Sequence, residues 1–464
     1  MKQPAAVEQF DEVVLGGGKG GKSLAVALAK AGHRVALIEN GQIGGTCINA
    51  ACIPTKTMVA SAKLIELASR ASEFGVSLPE AGPSLAGVVD RKRQVVAGMV
   101  DTHWKLFTGT PNLTFLLGVG TFLADRTIEV ALDDGSTRTV RGERVYINTG
   151  SHTTIPPIPG LDTVDYLTST TVLELTEVPA RLAIIGAGYI ALEFAQVFRR
   201  LGAAVTVIQR GSRFLPQEDP DIAEAVRTIL SEDGIEFLED ADPTAVASAG
   251  DGIAISYRSG DRTGSLSCSH VLVAVGRTPN TAGLGLAAAG VQIDKRGGIV
   301  VDDRLRTSAE NVFAVGDCNG GPLFTHVSWD DYRILLANAL HGAARSTAGR
   351  LVPYTLFIDP ELGRVGLTEE QARAAGHDIA IATLPAAKIP RANTAGETRG
   401  LLKAVVDRGS GQILGCSLLC HSAGEVMSVL QMAMIGKVAY PQVRDTIFTH
   451  PTMAESLNLL FADL

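Results

Sequence analysis

Two cysteines near the start of the chain have types and spacing suited to redox chemistry. Cys47 and Cys52 are five residues apart in the stretch 44–56, which also contains Pro54. In a regular helix, residues five apart are separated by about 7.5 Å along the axis, whereas a disulfide prefers a Cα separation of roughly 4.4 to 6.8 Å. A bridge therefore requires the backbone to deform, and Pro54, which has no N–H to bond the carbonyl of Ala50, is expected to loosen the helix there. We predict a strained, readily reduced disulfide.

The charge beside this pair favours a reactive sulfur. Lys56 follows Cys52 by one helical turn, and its positive charge is expected to stabilise a thiolate over a thiol. The alternative is a pair of buried, inert core residues. The adjoining glycines, proline and lysine favour the reactive interpretation. The other four cysteines lack such surroundings and are predicted to be small core residues: Cys268, Cys318, Cys416 and Cys420.

The pair follows a strand, glycine turn, helix and strand of about thirty residues. Glu12 to Leu15 is an apolar run that enters a glycine-rich turn, and Arg34 to Glu39 is the second strand. Gly16 would permit the tight turn, Gly18 would let a pyrophosphate approach the backbone, and Gly21 would allow the helix to pack closely on the strand. A carboxylate at Glu39 can accept hydrogen bonds from ribose hydroxyls. This pattern predicts a dinucleotide site.

The same pattern returns in the middle of the chain. A strand over 182–185 leads to Gly186 and Gly188, an amphipathic stretch runs to residue 202, and a second strand covers 204–208. Two doubly wound, Rossmann-like nucleotide-binding domains are therefore predicted. After the last strand stand Gln209, Arg210 and Arg213, where an NAD site would want a carboxylate. These residues favour the 2′-phosphate of NADPH over NADH, with solvated surface arginines as the alternative.

One part of the glycine turn also fits another class of protein. Gly16, Gly21, Lys22 and Ser23 satisfy the G-x-x-x-x-G-K-S pattern of a P-loop NTPase. That interpretation would make the chain an ATPase or GTPase. The intervening Gly18, the position of the acidic residue at the end of the second strand, the second glycine fingerprint and the cysteine pair all favour the dinucleotide interpretation.

The rest of the chain indicates further domains. At 464 residues it exceeds what one hydrophobic core usually organises. We predict an FAD-binding domain over 1–150 and 278–350, an NAD(P)H-binding domain over 151–277, and a C-terminal α+β dimerisation domain over 351–464. In that last domain, strands are predicted over 402–406 and 413–419, with a helix over 423–436.

Composition excludes several classes of function. With 41 Lys and Arg against 49 Asp and Glu, the formal charge of -8 offers no general footprint for nucleic acid. Six cysteines are too sparse for a secreted disulfide scaffold. The N-terminal dozen residues lack the basic start and apolar core of a signal peptide, and no apolar run reaches membrane-spanning length. A cytoplasmic enzyme, bound to neither membrane nor nucleic acid, is expected.

Taken together, the motifs resemble the flavoprotein disulfide reductases, the class I pyridine nucleotide-disulfide oxidoreductases that include glutathione reductase, dihydrolipoamide dehydrogenase and mercuric reductase. The resemblance covers the whole chain. Its matching segments are the Gly16 fingerprint, the Cys47/Cys52 run, 148–150, the Gly186 fingerprint with Glu193, 276–280, 315–317, and 450–452 with Glu455. The resemblance implies an NAD(P)H oxidoreductase with FAD, an α/β fold of two nucleotide-binding domains, and a dimerisation domain.

The resemblance also implies roles by position. Cys52 would lie against the flavin as the charge-transfer thiolate, and Cys47 would exchange with substrate. Lys56 and Glu193 would pair beside the flavin, and Tyr189 would gate the nicotinamide pocket. The remaining cofactor-binding residues implied are Thr46, Thr149, Gly150, Gly276 and Asp317, the last on the ribityl chain of FAD.

A histidine near the C-terminus completes the predicted site. Glu455, five residues after His450, could orient its imidazole. Taken alone, a histidine before proline is more often a satisfied structural residue. In the family this histidine comes from the partner subunit and acts as acid and base for the exchanging thiol, which implies a homodimer.

Within the family, the chain is most similar to the reactive-chlorine-resistance flavoproteins and the mercuric reductases, judged by residues 18–24, 324–333 and 444–461. This similarity implies a small oxidised substrate such as hypothiocyanous acid, copper(II) or a disulfide. Mercury reduction as the main task is not expected, because residues 458–464 lack the cysteine pair of those enzymes. Dihydrolipoamide dehydrogenase, which would have a lipoyl-bearing protein as partner, is the other alternative. No resident metal site is predicted, and Cys420 with His421 is not expected to form one.

Overall fold

A computed structural model describes residues 6–79 and 82–464, so the expectation about the first dozen residues lies partly outside the described residues. The chain divides into two compact units. The first unit comprises Met1–Thr57, Val89–Thr154 and Gly276–Arg350, and the second comprises Met58–Val88, Ile155–Val275 and Leu351–Leu464. The finer division into three functional domains stays a prediction.

The strands are β1 Val7–Leu15, β2 Val35–Glu39, β3 Leu113–Ala124, β4 Thr127–Leu132, β5 Thr137–Ile147, β6 Ser151–Thr153, β7 Tyr166–Leu167, β8 Arg181–Ile185, β9 Ala204–Ile208, β10 Ile235–Leu238, β11 Asp242–Ala249, β12 Gly252–Ser259, β13 Arg262–Cys268, β14 His270–Val273, β15 Arg277–Pro279, β16 Val312–Ala314, β17 Tyr354–Leu356, β18 Glu361–Gly366, β19 Ile379–Pro385, β20 Leu401–Asp407 and β21 Ile413–Cys420. The helices are α1 Lys19–Lys30, α2 Thr46–Asn49, α3 Cys52–Ser69, α4 Leu85–Gly109, α5 Tyr189–Arg200, α6 Pro220–Glu232, α7 Thr325–His341, α8 Glu369–Ala374, α9 Pro390–Ala395, α10 Ala423–Ile435, α11 Tyr440–Asp445 and α12 Ser456–Leu460.

The first unit is built on a parallel sheet with the order β3-β2-β1-β5-β16. Strand β4 pairs antiparallel with both β3 and β5. The central strands are buried on both faces. One face packs with α1 and α7, and α1 buries Leu24, Ala25 and Leu28 completely; the other face packs with β4 and residues 286–299. The predicted strand, glycine turn, helix and strand are β1, α1 and β2, which confirms the first nucleotide-binding fold.

The second unit contains a five-stranded parallel sheet with the order β10-β9-β8-β14-β7. The second predicted repeat is β8, α5 and β9. Strands β11, β12 and β13 form a separate antiparallel sheet. The first and second parallel sheets confirm the predicted α/β class, in which dinucleotides bind outside the carboxyl ends of the strands.

Residues after 350 form an antiparallel sheet with the order β17-β18-β21-β20-β19. Its core contains the fully buried Leu402, Leu418, Leu430 and Phe461. The predicted strands and helix correspond to β20, β21 and α10, which supports the α+β expectation. In the described part of the chain, no helix is both long and apolar enough to cross a membrane.

Candidate active site

The backbone breaks between Cys47 and Cys52. Helix α2 ends at Asn49, Ala50 has a φ of -144°, and α3 begins at Cys52. The Asn49 side-chain amide holds the preceding turn by donating to the carbonyls of Ile43 and Gly45, at 3.0 and 2.9 Å. The expected departure from a regular helix is therefore present.

The role expected of Pro54 in that departure is wrong. Pro54 is the third residue of α3, in the first turn, where the chain already lacks intrahelical partners for its N–H groups. A proline is tolerated there without loosening the helix. The deformation lies instead at Ala50 and Ala51, between the two helices.

The two sulfurs, which are free thiols in this structure, differ in acidity. A hydrogen bond from Cys47, one from Thr325 and the charge of Lys56 together outweigh burial and lower the pKa of Cys52 to about 6. The Thr325 Oγ1 lies 3.1 Å from Cys52 Sγ. The hydrogen bond to Cys52, burial and the charge on Cys52 raise the pKa of Cys47. The pair thus favours a thiolate on Cys52 and a proton on Cys47.

The glycine turn after β1 closes against the end of β5. Gly16 has a φ of 107°, which favours glycine, and a Cβ on Gly21 would lie 2.1 Å from the Gly16 oxygen. The Asn148 Oδ1 accepts from the Gly21 N–H at 2.8 Å. Any residue with a Cβ at position 21 would require the helix to shift, which agrees with the close packing predicted from the sequence. A Cβ on Gly18 would lie 3.0 Å from Asn148 Oδ1, so the turn also leaves little room for a side chain there.

The acidic residue at the end of β2 faces this turn. Glu39 Oε2 accepts from the Gly17 N–H at 2.7 Å, and Oε1 accepts from the Gln42 N–H at 3.0 Å. Burial raises the pKa of Glu39, although these backbone donors oppose the shift. A glycine turn closed by backbone contacts, with a buried carboxylate at the next strand end, fits the adenosine part of FAD. The Thr46 hydroxyl lies 3.5 Å from the Gln42 side-chain oxygen.

Further predicted FAD residues lie at the ends of β5 and β16. Asp317 accepts from the Ser151 hydroxyl at 2.6 Å, and Arg277 Nε donates to that hydroxyl at 2.8 Å. The Thr149 hydroxyl donates to the Asn280 carbonyl at 2.7 Å. The predicted glycines of this region, Gly150 and Gly276, have φ values of 71° and 135°.

The second glycine turn carries a tyrosine whose partners the sequence did not indicate. Tyr189 begins α5 and its hydroxyl donates to Glu218 Oε1 at 2.6 Å. The Tyr354 hydroxyl donates to the same oxygen at 2.7 Å. A Cβ on Gly186 would lie 2.4 Å from the Ala274 oxygen, whereas Gly188 has open space. Burial raises the pKa of Tyr189, so the hydroxyl remains a donor.

The residues predicted to choose the nicotinamide cofactor differ in exposure. Gln209 is buried, and its side-chain amide donates to the Gly211 carbonyl at 2.8 Å. Arg210 is exposed. Arg213 lies 3.3 Å from a carboxylate oxygen of Glu370, an exposed pair that contributes little stability.

The predicted acid and base near the C-terminus are in contact. His450 Nδ1 lies 2.9 Å from Glu455 Oε2 and the imidazole is 65% exposed. Because a carboxylate only accepts, Nδ1 carries the hydrogen and Nε2 is left to exchange a proton.

Glu193 accepts from the Phe357 N–H at 3.0 Å. Lys56 and Glu193 belong to different units, and their pairing stays a prediction.

The remaining cysteines are buried, as expected of core residues. Burial raises the pKa of each, to about 12 for Cys318, Cys416 and Cys420. Within residues 6–79 and 82–464, no cluster of three or more His, Cys, Asp or Glu side chains is arranged to hold a metal ion.

Comparison with known sequences identifies the class. Residues 10–331 match the family described as pyridine nucleotide-disulphide oxidoreductase, and residues 352–460 match its dimerisation domain. The chain belongs to this family of FAD- and NAD(P)H-dependent oxidoreductases. The P-loop NTPase alternative is therefore rejected.

Two relatives and one solved structure are similar to this chain over nearly its whole length. The chain is 42% identical over 460 residues to the probable pyridine nucleotide-disulfide oxidoreductase RclA of Escherichia coli strain K12, covering 98% of this chain and 99% of that protein. It is 36% identical over 451 residues to a mercuric reductase of Streptomyces lividans, covering 97% and 95%. A solved structure described as the Cu(II) complex of the HOCl-induced flavoprotein disulfide reductase RclA from Escherichia coli is similar with a TM-score of 0.91 and 40% identity, covering 99% of this chain and all of that one.

Proposed function

We propose that this oxidoreductase reduces a small thiol-reactive oxidant, copper(II) or a low-molecular-weight disulfide, with Cys47 as the exchanging sulfur. The observation that carries the proposal is the unequal acidity of the two sulfurs, which favours a stable thiolate at Cys52 and a protonated thiol at Cys47. Similarity to a flavoprotein described as HOCl-induced and solved with Cu(II) supports this class of substrate. Thiolates also bind soft metals well.

In the proposed cycle, bound FAD supplies the two-electron link between the nicotinamide and the disulfide. Two electrons and one proton break the Cys47–Cys52 bond and leave a thiolate on Cys52 and a thiol on Cys47. After losing its proton, Cys47 attacks one sulfur of a substrate disulfide and releases one substrate thiolate. Cys52 then attacks the Cys47 sulfur, expels the second substrate thiolate and restores the bridge.

The chain's own residues would hold the cofactors. Gly18 would admit the FAD pyrophosphate, Glu39 would accept from the adenosine ribose, and Asp317 would face the ribityl chain. In the second unit, Tyr189 would cover the nicotinamide pocket and Arg210 would favour the 2′-phosphate of NADPH. The assignments of Gly18, Glu39 and Arg210 rest on their positions at a helix start or a strand end, and those of Asp317 and Tyr189 rest on the resemblance to the family.

We further propose a homodimer in the cytosol. The matched dimerisation domain contains exposed apolar side chains, of which Ile447 is 98%, Met432 64% and Ile435 57% exposed. An apolar surface of this kind is typical of an interface. In the dimer, His450 would take the proton from the partner's exchanging thiol, with Glu455 fixing the ring.

The test is anaerobic NADPH consumption with copper(II), hypothiocyanous acid, small disulfides, lipoamide and mercury(II), each supplied separately. We expect turnover with at least one of the first three and its loss in Cys47→Ser, while NADPH still reduces the bound FAD of that variant. Full turnover in Cys47→Ser contradicts the proposal. Efficient reduction of NAD+ by dihydrolipoamide would favour dihydrolipoamide dehydrogenase, and exclusive turnover of mercury(II) would favour a mercuric reductase.

A further inference from the structure

A buried lysine in the first unit has no acidic partner among the described residues. Lys22, in the first turns of α1, is 5% exposed. Its Nζ lies 2.7 Å from His103 Nε2 and 3.3 Å from the Gly44 carbonyl oxygen. Over the described ranges 6–79 and 82–464, no carboxylate forms an ion pair with it. Burying an ammonium without a counter-charge is costly, so an anion is expected nearby at some stage of the reaction.

The protonation of His103 is fixed by its other contact. His103 Nδ1 lies 2.7 Å from the carbonyl of Met99, which can only accept, so Nδ1 carries the hydrogen. Its Nε2 must then accept from the Lys22 ammonium. Burial and the charges of Lys22 and Lys19 lower the pKa of His103, which keeps the ring neutral. The imidazole is therefore an acceptor that orients Lys22 and supplies no negative charge.

Among the described side chains that act on Lys22, Cys47 is the one that can become an anion. These groups are Lys19 on the same helix, His103 on α4, and Cys47 on α2, which begins two residues after Gly44. The charge of Lys22 lowers the pKa of Cys47, in opposition to Cys52 and burial. Burial lowers the pKa of Lys22 itself to about 8. The lysine is therefore charged at neutral pH and loses its charge in mildly alkaline solution.

We propose that Lys22, oriented by His103, is a positioning residue that stabilises the thiolate of Cys47 at the moment of exchange with substrate. An ammonium has three N–H donors, and the carbonyl of Gly44 and the imidazole occupy two of them. The third is available to a sulfur anion. This inference rests on the proposed function, because it matters only if Cys47 is the exchanging sulfur. It also gives a role to the lysine that had suggested a P-loop. The Ser23 hydroxyl of that pattern donates to the Lys19 carbonyl at 2.7 Å.

The test measures the reactivity of Cys47 without turnover. FAD-loaded enzyme with Cys52→Ser leaves Cys47 as the sole thiol of the loop, and iodoacetamide labelling of Cys47 is followed by mass spectrometry between pH 6 and 10. We expect Lys22→Met in this background to slow labelling roughly tenfold at pH 7, which corresponds to about 1.4 kcal/mol. The difference from the parent should disappear above pH 8, where Lys22 becomes neutral.

Matched variants separate this role from a structural one. Lys22→Arg keeps the charge and should stay within threefold of the parent, and Lys19→Met on the same helix should have little effect. The proposal is overturned if K22M and K22R slow labelling of Cys47 equally, or if K22M labels at the rate of the parent. It is also overturned if K22M loses FAD but labels normally. If K22M does not fold, His103→Leu should slow labelling while His103→Gln, which keeps an acceptor, should not. If labelling in the Cys52→Ser background gives the expected results but the enzyme with both cysteines cannot reduce any oxidised substrate with NADPH, the proposed function alone is refuted.

Discussion

Replacing Thr325 by valine removes one hydroxyl from the site while nearly preserving the volume of the side chain. The Thr325 Oγ1 lies 3.1 Å from Cys52 Sγ and helps to lower the pKa of that thiol to about 6. A hydrogen bond to a charged group contributes about 1.5 to 3 kcal/mol, and one pKa unit corresponds to about 1.4 kcal/mol. We therefore expect the pKa of Cys52 to rise by roughly one unit or more in T325V.

The assay follows the charge-transfer absorbance of anaerobic, two-electron-reduced enzyme as a function of pH. Because the thiolate is the absorbing form, the band is lost as the pH falls through the pKa of Cys52. In the parent the band should fade near pH 6, and in T325V it should fade at a distinctly higher pH. Thr325→Ser keeps a hydroxyl and should titrate like the parent.

The causes of the low pKa of Cys52 predict the order of the pKa shifts in three variants. The hydrogen bond from Cys47 is the largest cause of the low pKa of Cys52, ahead of Thr325 and Lys56. Cys47→Ala has no disulfide to reduce, so its Cys52 is titrated beside oxidised FAD without added reductant, and the shift should exceed that of T325V. Lys56→Met, reduced like the parent, should shift the titration less than T325V. A T325V titration that superimposes on that of the parent, with the band intact, would refute the hydrogen-bond assignment.

Three further predictions, one of them with a control variant, concern other parts of the chain. Glu455→Ala should slow substrate reduction about ten- to a hundredfold by freeing the ring of His450, while stopped-flow reduction of FAD by NADPH stays normal; equal slowing of both steps would contradict this role. Gly21→Ala should lower the free energy of unfolding by about 3 kcal/mol or more, measured by denaturant titration, because its Cβ would lie 2.1 Å from a carbonyl oxygen. Gly188→Ala, which has open space, should have a much smaller effect, and equal losses would refute the steric explanation. Arg210→Gln should raise KM for NADPH about tenfold and leave KM for NADH unchanged; a matching change for NADH would remove the 2′-phosphate assignment.

The parallel sheets could be predicted because their signals are local. A buried strand, a glycine turn and an amphipathic helix lie within thirty residues, and β1, α1 and β2 follow that pattern. The sequence was less informative about β3 to β5 and β11 to β13. The antiparallel pairings of β4 with β3 and β5, and those among β11 to β13, involve partly exposed strands without a glycine fingerprint, and they depend on contacts that no local pattern specifies.

The cysteine pair was predictable for a similar reason, since its glycines and lysine adjoin it in sequence. The side chains that reach this site from distant parts of the sequence could not be predicted. Thr325 lies 273 residues from Cys52, and His103 lies 81 residues from Lys22. The segment that contains Thr325 contributed to the family resemblance, but a hydroxyl at the start of a helix is common and carries no signal that it faces a sulfur. Glu218 likewise acquires a role only because folding brings two tyrosine hydroxyls to one buried carboxylate.

Counting thiols before and after reduction tests most directly whether Cys47 and Cys52 are an exchangeable redox pair. The chain has six cysteines, so air-oxidised enzyme that is denatured and titrated with a thiol reagent should give four thiols. Enzyme first treated anaerobically with NADPH and acid-quenched before denaturation should give all six, and peptide mapping should locate the two additional thiols at Cys47 and Cys52. An equal count in both samples, or new thiols at any other cysteine, would contradict electron transfer to this pair.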